Sequence, residues 1–123
     1  MLDEMLQFIG NDLKVDYQKI NLNGDGWHSG YVNFFRIGHL GIAEIVDARK
    51  NTRPVDYEAI ANIPTGFMPD SDKYVNRGQF SPSSGNMRSC TVNIKTEGVI
   101  ALGNFDMEPS YGADAILFYR IKA

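Results

Sequence analysis

Ile63-Pro64-Thr65-Gly66-Phe67-Met68-Pro69, a polar interval, and then Thr91-Val92-Asn93-Ile94-Lys95-Thr96-Glu97-Gly98-Val99-Ile100-Ala101-Leu102 decide how this chain is read. Two prolines around a glycine set a rigid turn, because proline locks φ at about −65° and glycine admits the left-handed region. Within Arg88 to Thr96, Cys90, Val92 and Ile94 fall on one face and Thr91, Asn93 and Lys95 on the other, the period of two of a half-buried strand. Glu97-Gly98 reverses that strand, and Val99 to Leu102 continues it as a second, apolar one. Cys90 is read as a small buried hydrophobe rather than a nucleophile.

Working outward, the same alternation recurs. Leu13, Val15 and Tyr17 alternate with Lys14, Asp16 and Gln18, and Ile20 and Leu22 follow before Asn23-Gly24-Asp25-Gly26. That is a strand and a hairpin-type turn. Tyr31 to Ile37 and Leu40 to Asp47 read as strands joined around Gly38-His39, being rich in aromatic and β-branched residues. Asp47 to Pro54 reads as a charged loop and Tyr57 to Ile63 as a short strand. Lys73 to Phe80, Arg88 to Thr96, Val99 to Leu102 and Ala115 to Ile121 complete the set. Closely spaced short strands with Gly, Pro and Asn punctuation predict an all-β antiparallel sandwich or barrel. The last strand, Ala115-Ile116-Leu117-Phe118-Tyr119, is apolar on both faces, which suits packing of one face against another subunit.

One segment departs from period two. Leu2, Met5, Leu6 and Ile9 stand at i, i+3, i+4 and i+7, with Asp3 and Glu4 in the first turn, a helical stripe that Gly10-Asn11-Asp12 stops. So short a helix needs support, since isolated helices below about 12 residues are marginal in water. It is expected either to cap the domain's own core or to meet two other copies as the end of a stalk. The expected organisation is a short N-terminal helix over 1–10 and one β head over 11–123.

Bulk properties exclude several function classes. The 123 residues and 13.8 kDa suit one domain with a real core. A net charge of −3 without a basic stripe argues against nucleic acid. The single cysteine excludes an internal disulfide and a cysteine-rich zinc site. No apolar run is long enough to span a membrane, and Met1-Leu2-Asp3-Glu4 lacks the basic start of a secretory signal. A soluble chain, not inserted in membrane and not exported by a leader of its own, is expected.

Catalytic and metal motifs are weak. Asn21 to Gly26 imitates the opening of a calcium loop, but the twelfth position is Val32, where a bidentate Glu is required. A Gly-rich β-turn accounts for the same residues. His28 and His39 have no third ligand at metal spacing. No serine stands in a nucleophile elbow, and acids such as Asp70, Asp72, Asp106, Glu108 and Asp114 are accounted for as solvated loop residues. No metal, cofactor or catalytic group is expected. What recurs is a mixture of rings, amides and charges in loops, Asn76 beside Arg77 included, and the expected ligands are Trp27, Asp70, Tyr74, Arg77, Asn86, Arg88, Asp106 and Tyr111. Such sets hold sugars, because hydroxyls need donors and acceptors while the C–H face of a pyranose lies against a ring. Trp27 fits a stacking platform and a core position equally well.

The turn Ile63 to Pro69, the strand pair Val92 to Leu102 and the closing Tyr-containing strand Ala115 to Ile121 resemble the C-terminal head domains of receptor-binding and tail-fibre proteins of phages infecting Gram-positive bacteria. Tyr31 to Val46 is similar to the paired strands that precede the turn in those heads, so the resemblance covers Gly26 to the C-terminus. It implies a trimeric β-barrel head in the virion, at the phage tail tip or baseplate. Such a head binds host cell-wall polysaccharide without cofactor or catalysis and contacts other tail or baseplate proteins; the eight ligands named above are expected on their own chemistry. A structural trimerisation or baseplate connector contacting another virion protein is the alternative.

Overall fold

The computed structural model describes residues 14–24, 26–50, 52, 57–81, 88–103 and 112–123. The helix expected over 1–10 lies outside them. Eight strands follow in order: β1 (Val15–Asn21), β2 (Trp27–Ile37), β3 (Leu40–Lys50), β4 (Glu58–Asn62), β5 (Val75–Ser81), β6 (Arg88–Lys95), β7 (Val99–Gly103) and β8 (Gly112–Arg120). Every pairing is antiparallel, and the strands form one sheet in the order β1-β2-β3-β8-β5-β6-β7-β4.

The sheet curls until its two outer strands nearly meet. In β4 the register slips between Ala59 and Ala61, leaving Ile60 as an extra residue opposite β7. This bulge presents the Ile60 carbonyl to the turn after β1, where it accepts from the amides of Asn23 at 3.1 Å and Gly24 at 3.0 Å. Asn23 returns a bond, its Oδ1 accepting from the Asn62 amide at 3.2 Å. The result is a nearly closed barrel, as the strand pattern predicted. Gly24 is required at this seam, because a Cβ would collide with the Ala59 carbonyl oxygen.

Alternate residues of each strand fill the interior. Val32 and Phe34 from β2, Ala43 and Ile45 from β3, Val92 and Ile94 from β6, and Ala113, Leu117 and Tyr119 from β8 are all buried. Cys90 belongs to this set, and burial pushes its thiol up to about 11, consistent with the role of a small hydrophobe.

The opening stretch forms one end of the barrel. The Phe67 amide donates to the Pro64 carbonyl at 3.1 Å, and Gly66 has φ 92°, the left-handed third position of a type II turn. At the reversal, the Gly98 amide donates to Lys95 at 3.0 Å with Gly98 at φ 99°, the geometry of a three-residue hairpin loop closed by a left-handed glycine. The Ile63 amide donates to the Gly98 carbonyl at 2.8 Å and joins the two turns. The Tyr119 hydroxyl donates to the Phe67 carbonyl at 2.7 Å from a buried position, tying β8 to the proline turn. Asp72 secures the hairpin, accepting from the Thr96 amide at 2.7 Å and the Thr96 hydroxyl at 2.9 Å.

One expectation is corrected. The charged segment after Asp47 is not a loop from its start, because β3 continues to Lys50. Asp47 sits at φ 48° in a bulge where Val46 and Asp47 oppose the single residue Asp114. Lys50 is buried, its ammonium paired with Glu58, whose carboxylate also accepts from the Trp27 indole at 3.3 Å. The charge that suggested a loop is thus neutralised within the barrel wall.

Gly24→Ala should destabilise the fold by about 2 kcal/mol, the cost typical of forcing atoms into a packed site. Urea unfolding would show a lowered midpoint with an unchanged slope. The Thr96 amide, and then its hydroxyl, hold the Asp72 carboxyl below the usual carboxylate value. Its contribution is therefore present above the unfolded value of about 4 and lost as pH falls through the lower folded value. Asp72→Asn should flatten the decline of Tm on the acid side of about pH 4, as measured by thermal scans.

Candidate functional site

Strand β8 runs between β3 and β5 but pairs with them unequally. Its ladder with β3 extends from Leu40↔Arg120 to Ala48↔Ala113, while its ladder with β5 covers only Gln79↔Asp114 to Ser81↔Gly112. Beyond Asp114 the two strands part. There the Asn76 side-chain amide donates to the Ile116 carbonyl at 2.6 Å across the opening. Gly78 allows the close approach just before it, since a Cβ would sit 2.6 Å from both the Ala115 methyl and the Asp114 carbonyl.

This parting leaves an open groove of about 590 Å³ on the outer surface. Glu44 and Val46 border it from β3, Asn76, Arg77 and Gln79 from β5, Arg88 and Ser89 from β6, and Asp114 and Ile116 from β8. The two acids are anchored through one oxygen each. Glu44 Oε1 accepts from the Asn33 side-chain amide at 2.9 Å, and Asp114 Oδ1 accepts from the Asp47 backbone amide at 2.9 Å. The bulge at Asp47 turns that amide toward Asp114. The guanidinium groups of Arg77 and Arg88 have no hydrogen-bond or ion-pair partner among the described residues. The groove thus offers guanidinium donors, carboxylate and amide acceptors and apolar side chains, Val46 and Ile116 among them, a combination suited to a polyhydroxyl ligand.

The sequence-predicted ligands divide among several places. Arg77 and Arg88 come together in the groove. Asp70 and Tyr74 form a separate cluster: the Tyr74 hydroxyl donates to Asp70 at 2.6 Å, and the Arg120 guanidinium lies 3.9 Å from the same carboxylate. The bond to Asp70, then burial, raises the Tyr74 phenol above its usual value. Ile116 and Arg120 are four residues apart on β8, so this cluster lies about 13 Å from the groove along the strand. Trp27 is 5% exposed and packs in the core, so its ring offers no face to a ligand and stacking by Trp27 is corrected to a packing role. Asn86, Asp106 and Tyr111 lie outside the described residues. Glu44, Gln79 and Ser89 were missed, Asn76 was noted beside Arg77 but not among the expected ligands, and Asp114 was read only as a solvated acid. Their signal is outward polar positions on strands, with Gly78 marking a close backbone approach.

A second surface adjoins the groove. The registers Tyr17↔Phe35, Phe35↔Ile42 and Ile42↔Phe118 align four large side chains in one row across the outer face of β1, β2, β3 and β8. Val15, Ile37 and Leu40 make a neighbouring row. Tyr17 is 54% and Phe118 59% exposed, and a contiguous apolar ridge of this kind marks an interaction surface.

Comparison with protein-family models finds no match, and comparison with curated proteins finds none. Among solved structures, the chain is similar to the head domain of phage bIL170, described among the receptor binding domains of lactococcal phages. The TM-score is 0.66 at 18% identity, over 87% of this chain and 100% of that one. The likeness first carried by the proline turn and the strand reversal therefore extends across the barrel, and this chain has the fold of a lactococcal phage head domain.

Proposed function

We propose that this chain is a non-enzymatic receptor-binding head at the tail tip or baseplate of a phage, and that it attaches the virion to saccharide of the host cell wall. The observation that carries this reading is the polar groove between β5 and β8 on a barrel with the fold of a phage head domain. Arg77 and Arg88 donate to sugar oxygens, Glu44, Asp114 and the Asn76 carbonyl accept from hydroxyls, and Ile116 meets a C–H face. Asp70 and Tyr74, already bonded to each other, take a supporting role at the barrel end. Asn86, Asp106 and Tyr111 stay in the proposed set by their chemistry.

Shallow polar sites of this kind bind weakly one at a time, because water competes for every hydrogen bond. Assembly compensates. Burying the ridge of Tyr17, Phe35, Ile42 and Phe118 against further copies makes a homotrimer, and linked sites gain avidity without new contacts. The same ridge also suits a second reading, a trimerisation or baseplate connector that contacts another virion protein.

Labelled protein applied to a panel of intact Gram-positive cells should decorate at least one strain. The Arg77→Ala/Arg88→Ala double variant should then bind at least about tenfold more weakly, the loss expected from charge-assisted hydrogen bonds. Undiminished binding by that variant would move the site out of the groove, and decoration of no strain would favour the connector. Light scattering should give about three times 13.8 kDa for the parent chain, and a monomer for Tyr17→Glu/Phe118→Glu. A monomeric parent at micromolar concentration would remove the trimer.

A further inference from the structure

One groove carboxylate is held by a hydrogen-bonded chain that begins outside the groove. The Tyr17 hydroxyl on β1 donates to Asn33 Oδ1 on β2 at 2.8 Å, and Asn33 Nδ2 donates to Glu44 Oε1 on β3 at 2.9 Å. The direction of the chain follows from its end. An ionised carboxylate only accepts, so Asn33 must turn its NH₂ toward Glu44 and its carbonyl toward Tyr17, whose hydroxyl then donates. The register supports the arrangement, since Lys19, Asn33, Glu44 and Ile116 stand in one cross-strand row that ends at the groove. The Glu44 carboxylate has no other hydrogen bond among the described residues, which leaves Oε2 for a ligand.

We propose that Asn33 is a positioning residue for this groove: braced by Tyr17, it orients the Glu44 carboxylate so that the unoccupied oxygen accepts a sugar hydroxyl. This rests on the saccharide-binding reading above. A free glutamate on a strand surface samples several rotamers and must lose that freedom on binding. Fixing it in advance raises affinity without Asn33 touching the ligand. The charged groups around Glu44 are Lys19 beside Asn33 on β1, Arg77 on β5, Arg88 on β6 and Asp114 on β8.

The test uses the full chain and immobilised cell-wall polysaccharide extracted from a strain that the protein decorates. Asn33→Ala should bind about fivefold more weakly with an unchanged Tm, the effect of one lost hydrogen bond. Asn33→Asp keeps the size of the side chain but puts an acceptor where the NH₂ donor stood, so it cannot hold the Glu44 carboxylate and should bind at least as weakly as Asn33→Ala. In the unliganded protein, the Glu44 carboxyl carbon resonance should move in Asn33→Ala. A resonance and an affinity equal to the parent's in Asn33→Ala, alongside lost binding in Glu44→Ala, would overturn the positioning role and leave the groove standing. Full binding by Glu44→Ala would remove Glu44 from the site, and the proposal with it.

Discussion

The barrel depends on one carbonyl. Ile60 buries its side chain completely while its oxygen, displaced from the β4–β7 ladder by a bulge, accepts two amides from the turn after β1. Without that link the two outer strands of the sheet would be open edges, each with a row of unpaired backbone groups. Barrel closure by full strand pairing would need a longer β4. Here a five-residue strand suffices, because the turn rather than β1 itself supplies the partners. Gly24 is the steric condition for this contact and Asn23 its reciprocal half.

Irregularities elsewhere do comparable work. The bulge at Asp47 aims an amide at Asp114, and the close approach at Gly78 brings β5 against β8 before they part. Between them these two features shape the groove, one wall fixed by a left-handed aspartate and the other by the absence of a side chain. The buried Lys50, Glu58 and Trp27 cluster holds the far ends of β2, β3 and β4 together. Removing one member of such a pair is costly because it strands the other charge in a poorly solvated place.

Most of the architecture was legible in local pattern. The eight strands were read from alternation, from aromatic and β-branched runs and from turn residues, with β2 and β3 each longer than expected, and Gly66 and Gly98 occupy the left-handed positions their turns demand. Two kinds of information were not local. Lys50 looked like a loop residue because its neutralising partner, Glu58, comes from another strand, and Trp27 looked like a binding ring because its burial depends on the closed barrel. The site suffered most. Ring, amide and charge composition pointed to Arg77, its neighbour Asn76 and Arg88, whereas Glu44 and Asp114 meet them only because β8 lies between β3 and β5. No spacing in the sequence encodes that adjacency.

The same placement governs how the molecule can fold. Strands β1 to β3 form one meander and β5 to β7 another, with β4 added to the far edge of the second, and neither half pairs with the other except through β8. Of the eight strands, β8 is the last in the chain, so the ladders that join the two meanders cannot form before it has been synthesised. Contacts so distant along the chain form slowly, after the cost of closing long loops has been met. The groove, whose walls come from β3, β5, β6 and β8, is therefore complete only once the last strand has docked.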